Sequence, residues 1–143
     1  MSMADRGFMT GRQIGETVWH EAAGPGKAGG RTVVLALFNG RVAFANGEQG
    51  TYAGVETIDM GTDSEPFTGT HIFMLGDGST CTQAFTGVVT FRRDDGFVSG
   101  SGTWDMATGN GRFAHLHGGG SFTWLIDGDR YEAQFQEAAA STD

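Results

Sequence analysis

Cysteine occurs once, at Cys81, so neither an intrachain disulfide nor a thiolate metal cluster holds this fold together. Proline occurs twice, which leaves few forced breaks. Basic residues are scarce: nine, of which one is lysine, face 17 acidic ones, for a net charge of -8 and a pI near 4.8. Nucleic-acid affinity comes mainly from neutralising phosphates, so DNA and RNA are excluded as partners. The same balance disfavours docking on anionic lipid. No apolar run approaches the length of a membrane span. The opening Met1-Ser-Met-Ala-Asp-Arg lacks the apolar stretch of a signal peptide, and the expected location is cytoplasmic. There is no Ser-His-Asp order, no phosphate loop and no dinucleotide fingerprint; Gly-Asn-Gly-Arg (109–112) is too short a glycine pattern and no helix follows it.

Glycine, by contrast, is abundant, with 25 in 143 residues and no Gly-X-Y period. With so little proline, this indicates many tight turns in an all-β chain. A hydrophobic content of 38% supplies a real core, and a chain of this length buries roughly 70% of its unfolded surface as one domain. That domain spans 1–143, with 1–10 and 138–143 expected to fray at its ends. Six Asn-Gly or Asp-Gly pairs punctuate it: Asn39-Gly40, Asn46-Gly47, Asp77-Gly78, Asp95-Gly96, Asn110-Gly111 and Asp127-Gly128. Such pairs supply the positive φ angles of type I′ hairpin turns. Between them, runs rich in Val, Thr, Phe, Ile and Trp predict strands over 13–21, 31–38, 41–45, 51–60, 67–75, 80–92, 97–106, 112–117, 120–126 and 130–136. Some of these are halves of one bent strand. Segments 22–30 and 61–66 have loop composition.

An 18-residue repeat relates Phe67-Thr68-Gly69, Phe73 and Asp77-Gly78 to Phe85-Thr86-Gly87, Phe91 and Asp95-Gly96. Each copy is a strand followed by a hairpin turn, the rhythm of an up-and-down antiparallel sheet. Within 97–106, Val98, Gly100, Gly102, Trp104 and Met106 share one face; in 120–126, Phe122, Trp124 and Ile126 do. One apolar face and one mixed face suit a closed barrel of about eight antiparallel strands, whose lumen side chains fill or one small ligand occupies.

The stretch 104–122 carries Thr108, Gly109, Gly111, Arg112, Phe113, Gly118, Gly120 and Phe122. It resembles a signature of the allene oxide cyclase-like and dirigent-like barrels, in which an aromatic-ended strand leads into a T-G-x-G-[RK]-[FY] turn and a Gly-x-Gly-x-Phe strand. The hairpin from Phe73 to Phe85 is similar as well, and the resemblance covers roughly 65–126. His115 and His117 depart from the pattern, where small or apolar residues are more usual. The resemblance implies a small all-β barrel, in a superfamily that includes cyclases, directors of radical coupling and bacterial polyketide cyclases, as dimers or trimers. On that segment Gly109, Gly111 and Gly118 are expected to serve backbone geometry.

The candidate chemistry lies on strands. His71 sits in Thr70-His-Ile-Phe-Met-Leu, where partial burial tunes an imidazole for acid–base work; the plainer alternative is a hydrogen-bonded core residue. His20, on one face with Glu16 and Val18, is a second candidate. Tyr52 and Glu56 share a face with Gly54, Ile58 and Met60, and a carboxylate among apolar residues has a raised pKa. The alternative is that Glu56 points outward. His71, Glu56 and Tyr52 are the catalytic candidates; Trp104, Gln83, His20, Trp19 and Phe85 are the substrate-binding ones. His115-x-His117 matches the first half of a cupin-like metal motif, since alternate strand residues share a face, but the following glutamate and the third histidine are missing. Cys81, beside Gln83 and Phe85, behaves as a small hydrophobe.

The function expected is that of a cofactor-independent isomerase, cyclase or lyase for a small hydrophobic metabolite. The alternatives are a non-catalytic barrel that binds an apolar ligand and a metal-dependent barrel using His115 and His117. Broad apolar strand faces on both sides imply a homo-oligomer, dimer or trimer.

Overall fold

The computed structural model describes residues 6–23, 33–59 and 65–138. Eight strands follow one another: β1 (Gly11–Ala23), β2 (Val33–Phe44), β3 (Gln49–Asp59), β4 (Pro66–Leu75), β5 (Thr80–Arg92), β6 (Phe97–Gly109), β7 (Gly119–Asp127) and β8 (Arg130–Glu137). Each pairs antiparallel with its neighbour in sequence, and β8 returns to β1 to close the barrel. β8 pairs with Gly11–Glu16 of β1, so closure leaves no free sheet edge over that half of the strand.

The alternation read from sequence sets which side chains enter the lumen. Val98, Trp104 and Met106 of β6 and Phe122, Trp124 and Ile126 of β7 all belong to the core or pack on it. Aromatic rings dominate that core, and many lie across inward-facing glycines. A Cβ on Gly69 would come within 2.6 Å of the Phe85 ring, one on Gly87 within 2.7 Å of the Phe67 ring, and one on Gly102 within 2.8 Å of the Phe122 ring. The glycines on the inner wall are therefore seats for rings.

Three hairpins share one construction. The amides of Gly47 and Gly78 donate to the carbonyls of Phe44 and Leu75, and Asn46, Asp77 and Asp95 each accept from the backbone amide two residues on. Gly47, Gly78 and Gly96 have φ of 90°, 90° and 95°, while Glu65 is the one non-glycine at positive φ among the described residues. These are turns with a single left-handed glycine, not the type I′ turns expected, which require positive φ at two successive residues.

Two turn signals mark other things. Asn39-Gly40 lies inside β2, joining 31–38 to 41–45 as one strand; a Cβ at Gly40 would overlap the Ile14 carbonyl, so this glycine permits close approach of β1. Asn110-Gly111 opens a 3-10 turn, Gly111–Phe113, in the long β6–β7 connection, and 112–117 is not a strand. Gly111 and Gly118 have positive φ, and Gly109 packs against the Phe113 carbonyl at a distance of 2.5 Å from where its Cβ would stand.

The N-terminal stretch is not wholly frayed. Phe8 and Met9 are fully buried, and Phe8 lies 4.8 Å from Phe113 and 5.1 Å from Phe44, ring to ring. Together with Leu75 and Leu116 they plug the barrel end that holds the β2–β3, β4–β5 and β6–β7 connections. The opposite end is lined by the partly buried Ile58, Val89, Val98 and Ile126.

Candidate functional site

Between the aromatic plug and the aliphatic mouth lies a polar layer. β3 contributes Tyr52 and Glu56, β4 His71, β5 Gln83 and β1 Gln13, and all five are buried. The alternation of β3, with Tyr52, Gly54, Glu56 and Ile58 on one side, sends Glu56 inward. Register then places Gly54 opposite His71, and His71 opposite Gln83. Glycine at 54 is what lets the imidazole lie down against β3, because a Cβ there would overlap His71 Cδ2. A Cβ at Gly15 would likewise stand 2.5 Å from the Tyr52 hydroxyl.

His71 is the hub. Its ring centroid is 4.5 Å from Phe85, 5.6 Å from Tyr52 and 6.2 Å from Tyr131. Gln13 Nε2 donates to its Nδ1 over 3.1 Å. An amide nitrogen cannot accept, so Nδ1 is the acceptor and the neutral ring carries its proton on Nε2. A small cavity of about 10 Å³ adjoins the hub, lined by Gln13, His71, Gln83, Phe85, Trp104 and Phe122. That is room for one water-sized atom. Trp104 donates its indole N–H to the Ser121 carbonyl over 3.2 Å, so it serves this cavity as wall.

Burial sets the protonation states. It pushes the Glu56 carboxyl up to about 8 and the His71 imidazole down to about 3, because a charge in this interior loses its hydration. Tyr52 is raised by the same cause, and Tyr131 by burial and then by its neighbours Glu56 and Tyr52. Every arginine among the described residues is on the outside, so no guanidinium there offsets the Glu56 charge. At neutral pH the layer is therefore uncharged: a carboxylic acid, a neutral imidazole, two phenols and two amides. Cys81 is buried and its thiol is pushed up to about 12, which keeps it inert.

Of the residues expected at a site, His71, Glu56, Tyr52, Gln83, Trp104 and Phe85 all face the lumen. The side chains of Trp19 and His20 lie outside the described residues; a register shift between Thr17 and Trp19 interrupts β1 just before them. The strand expected over 112–117, on which His115 and His117 were to share a face, is absent. Both histidines sit exposed in the β6–β7 connection, where alternation along a strand no longer applies, and His117 Nδ1 is 3.4 Å from the His115 carbonyl. Among the described residues no group of three or more His, Cys, Asp or Glu is placed to hold a metal ion.

Two members of the layer escaped the sequence reading, Gln13 and Tyr131. Both lie on the pair that closes the barrel, with Gln13 opposite Ala133 and Gly15 opposite Tyr131. Pairing between the first and last strands has no local signal; only the inward phase of Gly11, Gln13 and Gly15 pointed that way.

Larger depressions occur outside. One of about 630 Å³ lies over the outer faces of β5, β6 and β7, lined by Thr86, Ser101, Thr103, Ser121 and Thr123 among others, and it contains no titratable side chain. Two others are lined by Arg12 with Glu132 and by Asp105, all of them on the outer surface. Comparisons with protein-family models, curated proteins and solved structures find no match. Among the described residues no helix is long and apolar enough to cross a membrane.

Proposed function

We propose that the lumen binds a small, largely apolar molecule and that the chain is a cofactor-independent isomerase, cyclase or lyase of the allene oxide cyclase-like or dirigent-like kind. The observation that carries this reading is Glu56. A carboxyl only 5% exposed, set between Ala36 and Gly69 and facing aromatic walls, costs stability that an apolar residue would not. Its pKa of about 8 makes it a proton donor at neutral pH that still ionises within reach of it, which is what a general acid–base group requires. In an isomerisation the same carboxyl gives one proton and recovers another, so nothing is consumed. His71, held neutral, acts as a hydrogen-bond donor and not as the proton carrier, and Tyr52 and Tyr131 donate beside it. Entry is from the end lined by Ile58, Val89, Val98 and Ile126, since the other end is plugged.

Deuterium exchange tests it. Apolar metabolites that raise the melting temperature would be incubated with protein in D2O. The wild type should place deuterium on carbon of a bound compound, and Glu56→Gln should bind that compound without exchange. Binding with no exchange in either protein favours the second reading, a non-catalytic binding barrel.

A homo-oligomer, dimer or trimer, is part of the proposal. Leu37, Val55, Ile72 and Met74 are exposed on the outer faces of β2, β3 and β4, where Leu37 pairs with Val55. A second copy would cover them.

A further inference from the structure

We infer that the lumen recognises its ligand through an oxygen that accepts hydrogen bonds and donates none, a ketone, aldehyde or ester carbonyl, seated in the cavity between Gln13, His71 and Gln83. This rests on the lumen being the binding site and narrows that reading to a substrate class.

Among the described residues four buried side-chain atoms have no hydrogen-bond partner: the Tyr52 hydroxyl, His71 Nε2, Gln83 Nε2 and Trp124 Nε1. Buried polar groups in folded proteins are nearly all paired, so four in one lumen need a reason. The Tyr52 phenol both donates and accepts, whereas amide and indole nitrogens only donate. His71 joins them because Gln13 occupies its Nδ1, which leaves the ring proton on Nε2. Of these atoms, those on residues that line the cavity are His71 Nε2 and Gln83 Nε2, and both only donate. The imbalance at the cavity is one-sided, and it selects what completes it.

A hydrocarbon would leave every donor unmet. An alcohol or amine would bring donors of its own to a cavity whose unpartnered lining atoms, His71 Nε2 and Gln83 Nε2, only donate. A carbonyl oxygen brings two lone pairs and no proton. The cavity has the size of one such atom; His71 and Gln83 reach it from directly paired positions on β4 and β5, and Gln13 from β1. Phe85, Trp104 and Phe122 complete its wall, so the carbon next to that oxygen meets aromatic surface. The same donors would hold the oxygen more tightly as negative charge develops on it, as in enolisation of the carbonyl.

Acetophenone, 1-phenylethanol and ethylbenzene share a skeleton and differ at one position, which makes them the probes. Their affinities would be measured by calorimetry at pH 6.5, and the infrared carbonyl stretch of bound 13C-labelled acetophenone recorded. Acetophenone should bind about tenfold more tightly than ethylbenzene, the gain of one well-made hydrogen bond, and more tightly than the alcohol. Its carbonyl stretch should fall below the value in hexane. Gln83→Met, checked for an unchanged melting temperature, should lose most of the preference while keeping its ethylbenzene affinity. Equal affinity for ethylbenzene, or a carbonyl stretch as in hexane, overturns the inference and leaves the lumen site standing. Failure of all three probes to bind at millimolar concentration overturns both.

Discussion

Replacing Glu56 by glutamine keeps the volume and removes the ionisable proton. Burial lifts the folded-state pKa from 4.5 to about 8, so between those values the folded chain holds a proton that the unfolded chain has released. A raised carboxyl pKa makes folding most favourable in acid, and that stability is lost as pH rises through 8. The slope is about 1.4 kcal/mol per pH unit, and the whole effect is on the order of 5 kcal/mol, of which about 3 kcal/mol falls between pH 5.5 and 8.5. Glu56→Gln has no such slope. Its stability relative to the wild type, from urea midpoints, should therefore grow by about 3 kcal/mol from pH 5.5 to 8.5, or roughly 10 °C in melting temperature for a chain of this size. A difference that stays constant over those pH values would mean that Glu56 ionises as it does in water, and the acid–base role assigned to it would fall with that result.

His71 gives the mirror image. Its pKa is depressed to about 3, so its contribution is present above 6.5 and lost as pH falls, and His71→Gln should flatten the acid limb of the wild-type stability curve; an unchanged limb would place an imidazolium in the lumen. Gly54→Ala should cost about 1–3 kcal/mol, because the new Cβ overlaps His71 Cδ2; full stability would show that the ring does not lie on that strand. Gly111→Val should cost about 1 kcal/mol or more, since φ is +58° and Ser79 Oγ blocks the Cβ; lost activity at unaltered stability would make that segment part of a site. Light scattering at micromolar concentration should give a dimer or trimer mass, and a monomer would leave the outer faces of β2–β4 unexplained.

The barrel was legible because two local signals agreed. Alternation in 97–106 and 120–126 gave the correct inward faces, and four of the six glycine pairs do sit at hairpin connections between consecutive strands. Asn39-Gly40 misled because the same dipeptide that turns a hairpin also permits two strands to approach, and composition does not separate those uses. Phe91 shows a similar limit. The repeat equates it with Phe73, yet Phe73 is fully buried and Phe91 is 52% exposed, because a register shift between Val89 and Phe91 changes the phase of β5. For the candidate site, position along a strand was readable and partnership across the lumen was not. Nothing near Gln13 in sequence announces that it meets His71, 58 residues away.

The inner glycines bear on how such a site could work. A ring resting on a glycine has no room to swing toward the strand, and its neighbours close the other side: Phe85 lies over Gly69, and His71 over Gly54. Phe73 and Phe135 stack below at 5.5 Å, joined to the plug through Phe44. The donors of the polar layer therefore hang from a framework that gives them few alternative orientations. Their desolvation is met when the chain folds, not when a ligand arrives. An oxygen reaching the layer would find donors already in place, so little ordering free energy is spent at binding. The same rigidity sets a boundary on substrates. A cavity of one atom's volume admits a ligand's oxygen, and the bulk of that ligand must lie toward the mouth, against Ile58, Val89, Val98 and Ile126.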